Sequence, residues 1–394
     1  MNMPATPENI LVRGLNWLGD AVMSVPALCR LRQARPAARL TLLSAEKLAG
    51  LWEQQPFLDE VLAFSSAESV FRVSRRLREK KFTAAVAFPN SARSALELWL
   101  AGIPRRIGAA RAGRTFLLTH AVPPHPGAVR MRQRSAGEIR RRIEWESSAT
   151  LFPAAAHHVH HYLHLAAALG ASPEPLPPRL EVSEAEMEAV RAKFGLARSA
   201  GRPWFGLNPG AEYGPAKRWP PDRFVAAALA LREKTHCRWA VFGGGGDRAL
   251  AAGIAADIAR GAGEPALNLA GQTSLRELAA ALKVCDLVLT NDTGPMHLAA
   301  AVGAPVTAIF GSTSPELTGP LFWARAQVVR GDAPCAPCFR RDCPIDLRCL
   351  RKIEVEQVVA AALQLTPLSN DSPSPPTERR GVGGASWGEV DSSK

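Results

Sequence analysis

Leu287-Val288-Leu289-Thr290-Asn291-Asp292-Thr293-Gly294-Pro295-Met296-His297 is the stretch whose reading settles the fold class. Its apolar start is a short buried strand, and the helix after it opens near Pro295, a favoured first-turn residue, and runs to 302. A strand feeding a helix through a tight polar turn is one βα unit. Working outward, the unit recurs: strands are expected at 204–207, 238–242, 266–269 and 306–310, with helices at about 222–234, 247–260 and 275–283. The first third repeats the pattern, with strands at 10–13, 39–43, 60–64, 84–88 and 105–108 and helices at about 20–33, 46–52, 67–80 and 91–100. Short apolar runs alternating with amphipathic segments mark parallel strands buried on both faces. The fold class is α/β, with two Rossmann-like parallel-sheet halves facing across a cleft between strand carboxyl ends, where such sheets bind ligands.

Composition shifts set the boundaries. Residues 122–135 are rich in Pro, Gly and Arg and read as a loop; 157–169 reads as helix; 171–179 (ASPEPLPPR) is a proline-stiffened linker. The expected organisation is 1–170, 171–330, a cysteine-containing loop and helix over 331–366, and a disordered tail over 367–394, rich in Ser, Pro and Gly.

The turn at 290–297 gathers backbone N–H groups, the Thr293 hydroxyl and a helix dipole on one point, which suits a phosphate, and His297 on the first turn can donate to the same anion. A plain N-cap followed by a buried histidine is the other reading. Asn16-Trp17-Leu18-Gly19-Asp20 opens the first helix, where the dipole keeps Asp20 ionised and able to accept a proton. An N-cap aspartate would look the same. The glycine-containing turn at 210–220 carries Tyr213 and Lys217, a mobile charge suited to a diphosphate, or is an ordinary βα loop. Gly244, Gly246 and Ala249 satisfy G-x-G-x-x-A, yet they lie mid-sheet and Glu264 is misplaced for a ribose, so a nucleoside contact through Asp247 is favoured over a dinucleotide site.

Cys335, Cys338, Cys343 and Cys349 are spaced C-x2-C-x4-C-x5-C, which is not a pair of knuckles; reduced thiols in a compact loop are favoured over a structural metal, and both stay open. The histidines at 157, 158, 160, 161 and 164 have no acidic companion and read as a polar helix face.

The formal net charge is +12, and residues 105–142 hold ten arginines against one acid, Glu138. Such a field attracts polyanions or is a solvated basic face. With one aromatic, Phe116, in that segment, stacking platforms for single-stranded nucleic acid are poorly supplied, and no nucleic-acid partner is expected. No apolar run reaches ~18 residues, no signal peptide is evident, and seven cysteines are too few for a disulfide scaffold, so the chain reads as cytoplasmic.

RGLNWLGDAVMSVPAL, NPGAEYGPAKRWP and LTNDTGPMHLAAAVGAP, in that order and spacing, resemble the bacterial heptosyltransferases of glycosyltransferase family 9, and the likeness runs from about residue 9 to 363. It implies the GT-B fold, with acceptor on the first domain and nucleotide sugar on the second. It further implies inverting transfer of L-glycero-D-manno-heptose from ADP-heptose to the heptosyl-Kdo-lipid A inner core, without cofactor or obligatory metal. A first-heptose transferase and another nucleotide-sugar GT-B enzyme are the alternatives. By position Asp20 matches the family's base. Lys217, Asp292, Thr293, Gly294 and His297 match donor-binding residues, Tyr213 a hydroxyl position, Thr273 an adenosine contact and Asp247 a ribose contact. Asn16, Trp17, Arg111 and Arg114 are the acceptor-side expectations. Arginines in 105–142 would then meet Kdo carboxylates and phosphates at the cytoplasmic face of the inner membrane, a peripheral electrostatic contact.

Overall fold

The computed structural model describes residues 8–320 and 325–366, so the expectation of a disordered tail over 367–394 lies outside the described residues. Within them the chain forms two six-stranded sheets, both wholly parallel. The first lobe runs β1 (Asn9–Arg13), α1 (Leu18–Met23), α2 (Val25–Ala34), β2 (Arg39–Ala45), β3 (Glu60–Phe64), α3 (Val70–Glu79), β4 (Ala84–Ala87), α4 (Ala92–Leu100), β5 (Arg105–Ala109) and β6 (His120–Val122). Its strand order is β3-β2-β1-β4-β5-β6. The helix expected over 20–33 is broken at Ser24. Pro26 cannot donate to the preceding turn and its ring crowds it, so α1 stops and α2 restarts.

Three helices connect the lobes: α5 (Ala136–Glu144), α6 (His158–Ala167) and α7 (Glu184–Phe194). The second lobe runs β7 (Trp204–Asn208), α8 (Pro221–Thr235), β8 (Arg238–Val241), α9 (Arg248–Ala262), β9 (Leu267–Asn268), α10 (Leu275–Val284), β10 (Leu287–Asn291), α11 (Gly294–Ala301), β11 (Val306–Phe310), α12 (Pro315–Thr318), β12 (Ala326–Arg330), α13 (Arg348–Arg351) and α14 (Val355–Leu363). Its order, β9-β8-β7-β10-β11-β12, is the winding of the first lobe repeated. In each, the third strand in the row (β1 or β7) meets the fourth (β4 or β10), and the chain winds away from that seam in opposite directions.

Burial follows the strand pattern. β1, β4, β7, β10 and β11 are almost wholly covered, as parallel strands sandwiched by helices must be. Capping boxes at Ser183/Glu186 and Ser274/Glu277 start α7 and α10, each worth about 1 kcal/mol. The first lobe also seals an ion pair in its core, Arg13 Nε to Glu97 Oε2 at 2.9 Å, with both side chains essentially inaccessible.

The lobes touch along a continuous seam. Gln55 and Glu181 exchange hydrogen bonds of 3.1 and 3.0 Å, and Leu180 N–H donates to the Ala301 carbonyl at 2.9 Å. His157, at the N-cap of α6, bonds the Gly319 carbonyl of the second lobe at 2.8 Å. At the centre α1 meets α11. A Cβ on Gly19 would lie 2.9 Å from the His297 ring, and one on Gly294 would lie 2.8 Å from Leu18 Cβ. Two glycines therefore let the two helix starts approach one another.

Candidate active site

Each lobe offers a crevice where its winding reverses, at the carboxyl ends of β1/β4 and of β7/β10, and these are the sites at which open α/β sheets hold ligands. Asp20 sits on α1 just beyond β1, Lys217 in the loop beyond β7, and Asp292 immediately beyond β10. Meeting of α1 and α11 brings all three to one place.

On the second lobe Lys217 Nζ donates to Asp292 Oδ2 at 2.6 Å and to its carbonyl at 3.2 Å. Thr313 Oγ1 donates to the same Oδ2 at 2.6 Å. Asp292 thus anchors the lysine in place, a pairing that neither sequence motif discloses by itself. Tyr213 supports it from the side, its ring centroid 5.3 Å from Nζ. The tyrosine hydroxyl is already engaged, donating to the Phe339 carbonyl at 2.7 Å and accepting from Gln133 at 3.1 Å. Thr293 is the N-cap of α11, and its hydroxyl makes no capping bond. His297 is buried, which pushes its pKa down to about 4, so it is a neutral donor at pH 7. Thr273 lies half-buried beyond β9, ahead of α10. Asp247 accepts from Gly244 N–H at 3.1 Å and pairs with Arg218 at 3.4 Å, packed so closely on Gly210 that a Cβ there would lie 2.4 Å away. The sequence carries no signal for Arg218 beyond its place directly after Lys217.

On the first lobe Asp20 is half-buried and faces the seam. Burial raises its pKa above the ordinary carboxylate range, opposed by His158, by the hydrogen bond from Tyr162 and by Lys217, and reinforced by Asp292. Tyr162 Oη donates to Asp20 Oδ1 at 3.1 Å. His158, one turn earlier on α6, feels both Asp20 and Asp292, and burial holds its pKa below the usual histidine value. The histidine-rich helix is therefore more than a polar face: His157 is its buried N-cap, His158 looks into the cleft, and His160 and His164 pack against His125. Asn16 and Trp17 are exposed at the mouth, where Asn16 Oδ1 accepts from Arg13 at 3.3 Å. Arg111 is exposed, whereas Arg114 is 1% exposed. Arg114 donates one N–H to the Pro89 carbonyl at 2.6 Å, and its Nε and Nη2 have no partner among the described residues. A guanidinium so covered is closed to a ligand, whereas Arg111 is open to solvent.

The arginine-rich segment divides into two parts. Arg105, Arg106, Arg114, Arg134 and Arg142 bond backbone carbonyls within the fold. Arg111, Arg130, Arg132, Arg140 and Arg141 are exposed, Arg132 pairing with Glu138 at 2.9 Å. Residues 134–150 lie against the cysteine loop of the second lobe: Arg134 N–H donates to the Cys338 carbonyl at 3.0 Å, and Ile139 is buried in that lobe's core. The same loop receives Ala216 N–H at Arg341 O, 2.9 Å, so it braces the Lys217 turn. Its four cysteines are unpaired thiols, and burial raises those of Cys335, Cys338 and Cys349, the last to about 12. Among the described residues no group of three or more His, Cys, Asp or Glu is placed to hold a metal ion.

Two Rossmann-like lobes thus face one another, one presenting a carboxylate and the other a lysine beside a helix N-terminus. Residues 131–348 match the family model described as glycosyltransferase family 9 (heptosyltransferase). The chain is 33% identical over 335 residues to lipopolysaccharide heptosyltransferase 2 of Escherichia coli strain K12, covering 82% of this chain and 87% of that one. It is 31% identical over 334 residues to the protein of the same name from Salmonella typhimurium, again over 82% and 87%. The solved structure of E. coli ADP-heptose LPS heptosyltransferase II superposes with a TM-score of 0.69 at 28% identity, covering 91% of this chain and 98% of that one. The chain belongs to glycosyltransferase family 9, the heptosyltransferases.

Proposed function

We infer that this chain transfers heptose from ADP-heptose onto the lipopolysaccharide core, and that its acceptor already carries one heptose. The observation that carries the mechanism is the meeting of Asp20 with Lys217 and Asp292 across the seam between lobes. In a single displacement the acceptor oxygen bonds the anomeric carbon, the anomeric C–O bond to phosphate breaks, and its electron pair departs on ADP. The hydroxyl proton goes to Asp20, whose raised pKa makes it a better base than a solvated aspartate. Such a displacement inverts the anomeric centre. Lys217, the neutral His297 and the start of α11 are preorganised donors for the charge that develops on the diphosphate. Thr273, Asp247 and the Thr293–Gly294 turn are assigned to the nucleotide, and Asn16, Trp17 and Arg111 to the acceptor. On this reading the first lobe holds the acceptor and the second the donor.

Among the described residues no helix is long and apolar enough to cross a membrane. The lipid-anchored acceptor is reached instead from the surface, by exposed Arg111, Arg140 and Arg141 with Phe116 (78% exposed) and Trp145 (71%) beside them in sequence. Binding to anionic vesicles that weakens with salt is expected; salt-insensitive binding contradicts this part.

The deciding experiment incubates the protein with ADP-heptose and either Kdo-lipid A or its mono-heptosylated form, and follows product mass. Gain of one heptose on the second acceptor alone is expected. Gain on the first moves the enzyme one step earlier, and gain on neither overturns the substrate assignment.

A further inference from the structure

We propose that Tyr162 is a positioning residue for the transfer step: its hydroxyl fixes Oδ1 of Asp20 and leaves Oδ2 to receive the acceptor proton. The proposal rests on Asp20 as the base. Asp20 is in the first turn of a six-residue helix whose N-cap, Trp17, makes no side-chain bond. A short carboxylate so placed ordinarily folds back on free backbone N–H groups, away from any substrate. Tyr162, 142 residues away in sequence and 4% exposed, supplies the competing donor at 3.1 Å.

The tyrosine is itself held in place. Its ring packs on Phe88, just past β4 on the other side of the first-lobe crevice, at 5.6 Å between centroids, and on His161 at 5.5 Å. Its helix is pinned to the second lobe through His157 and Gly319 at 2.8 Å. The base is therefore oriented by a helix attached to both lobes. Burial and the neighbouring carboxylate keep the Tyr162 proton on oxygen, so the tyrosine acts through Asp20 and gives no proton to the reaction. The groups facing Asp20 are His158 and Tyr162 from α6, Lys217 from the loop after β7 and Asp292 at the end of β10, with the His297 ring beyond Gly19. Among them, the tyrosine hydroxyl is the uncharged donor bonded directly to the carboxylate.

A hydrogen bond to the charged form lowers a carboxyl pKa, so removing it raises the pKa. Activity needs Asp20 deprotonated, and the ascending limb of kcat against pH should then move to higher pH. With the full-length protein, Tyr162→Phe is expected to move that limb up by about one pH unit and to lower kcat at pH 7 about tenfold. KM for both substrates should stay within about twofold, because the hydroxyl is spent on Asp20 and acts through it. A purely structural tyrosine would lower the melting temperature and leave the limb in place. 3-Fluorotyrosine at 162 keeps the shape and donates more strongly, and should move the limb the opposite way. An unmoved limb in both variants overturns the proposal. Asp20→Asn separates the two readings: loss of turnover there with a wild-type profile for Tyr162→Phe removes only the tyrosine, whereas normal turnover in Asp20→Asn removes the base and the proposal together.

Discussion

The two lobes wind their sheets identically and spend their charge differently. At the end of β1 the first lobe buries Arg13 against Glu97, with Arg93 adding a 2.8 Å contact to the other carboxylate oxygen. At the end of β7, the corresponding strand, the second lobe has the neutral Asn208, within 3.5 Å of the Thr290 hydroxyl. Charge in the first lobe is sealed beneath the crevice, and a single carboxylate, Asp20, is offered above it. The second lobe has a neutral residue at that strand end and pairs a partly exposed Lys217 with a buried Asp292 beside its crevice. On the proposed function, one winding thus yields a proton acceptor on one side and an anion clamp on the other, because charge placement and strand order are independent choices.

The sharpest way to break that comparison is to neutralise Asp20. Asp20→Asn should lower kcat by about a thousandfold, the middle of the range for general-base effects, while ADP binding by calorimetry stays within about twofold. Comparable turnover would mean that the first lobe offers no base. The sealed pair is tested by Glu97→Ala, which leaves Arg13 buried without its carboxylate. A loss of about 3–5 kcal/mol in urea unfolding is expected, against about 0.5 kcal/mol or less for Asn208→Ala if the second seam is as undemanding as its neutral chemistry suggests. A similar cost at both positions would erase the contrast.

Acid stability sharpens it further, because both lobes hold a histidine at the seam. His157 and His297 are pushed down by burial to about 3 and about 4. In the unfolded chain each takes a proton near pH 6.5, so between that pH and the folded values the unfolded state binds more protons. Stability is full above pH 6.5 and falls as the pH drops toward 4. His297→Asn should flatten the urea midpoint across pH 4–6.5, and an unchanged slope would show that the seam histidine is not buried in solution.

The alternation of strands and helices was legible because parallel strands covered on both faces must be short unbroken apolar runs, as at Val306–Phe310. β6 and β12 were not, since an edge strand of three residues, or one half-covered like Ala326–Arg330, carries no such run. α5 hid within the arginine stretch because Ile139 is its one buried residue. In the site, Asp20, Lys217 and Asp292 announced themselves by standing just past strand ends. Tyr162 did not. Periodicity states which side chains share a helix face, and the spacing of His158 and Tyr162 is there to be read, but not that this face looks at a carboxylate 142 residues earlier.

The smallest expected effect bears on the proposed anion clamp. Lys217→Ala should weaken ADP binding about tenfold, one charge-assisted contact's worth, and leave the Asp292 carboxylate, among the described residues, with Thr313 as its side-chain donor. Lys217→Arg separates charge from geometry. The Asp292 pocket receives a single ammonium at 2.6 Å beside a tyrosine face, and a forked guanidinium is bulkier than that contact allows. If Lys217→Arg keeps less than half of the affinity that Lys217→Ala loses, the clamp depends on the point charge that Asp292 holds in place. If it keeps all of it, the second lobe contributes only net positive charge, and its difference from the first lobe reduces to sign.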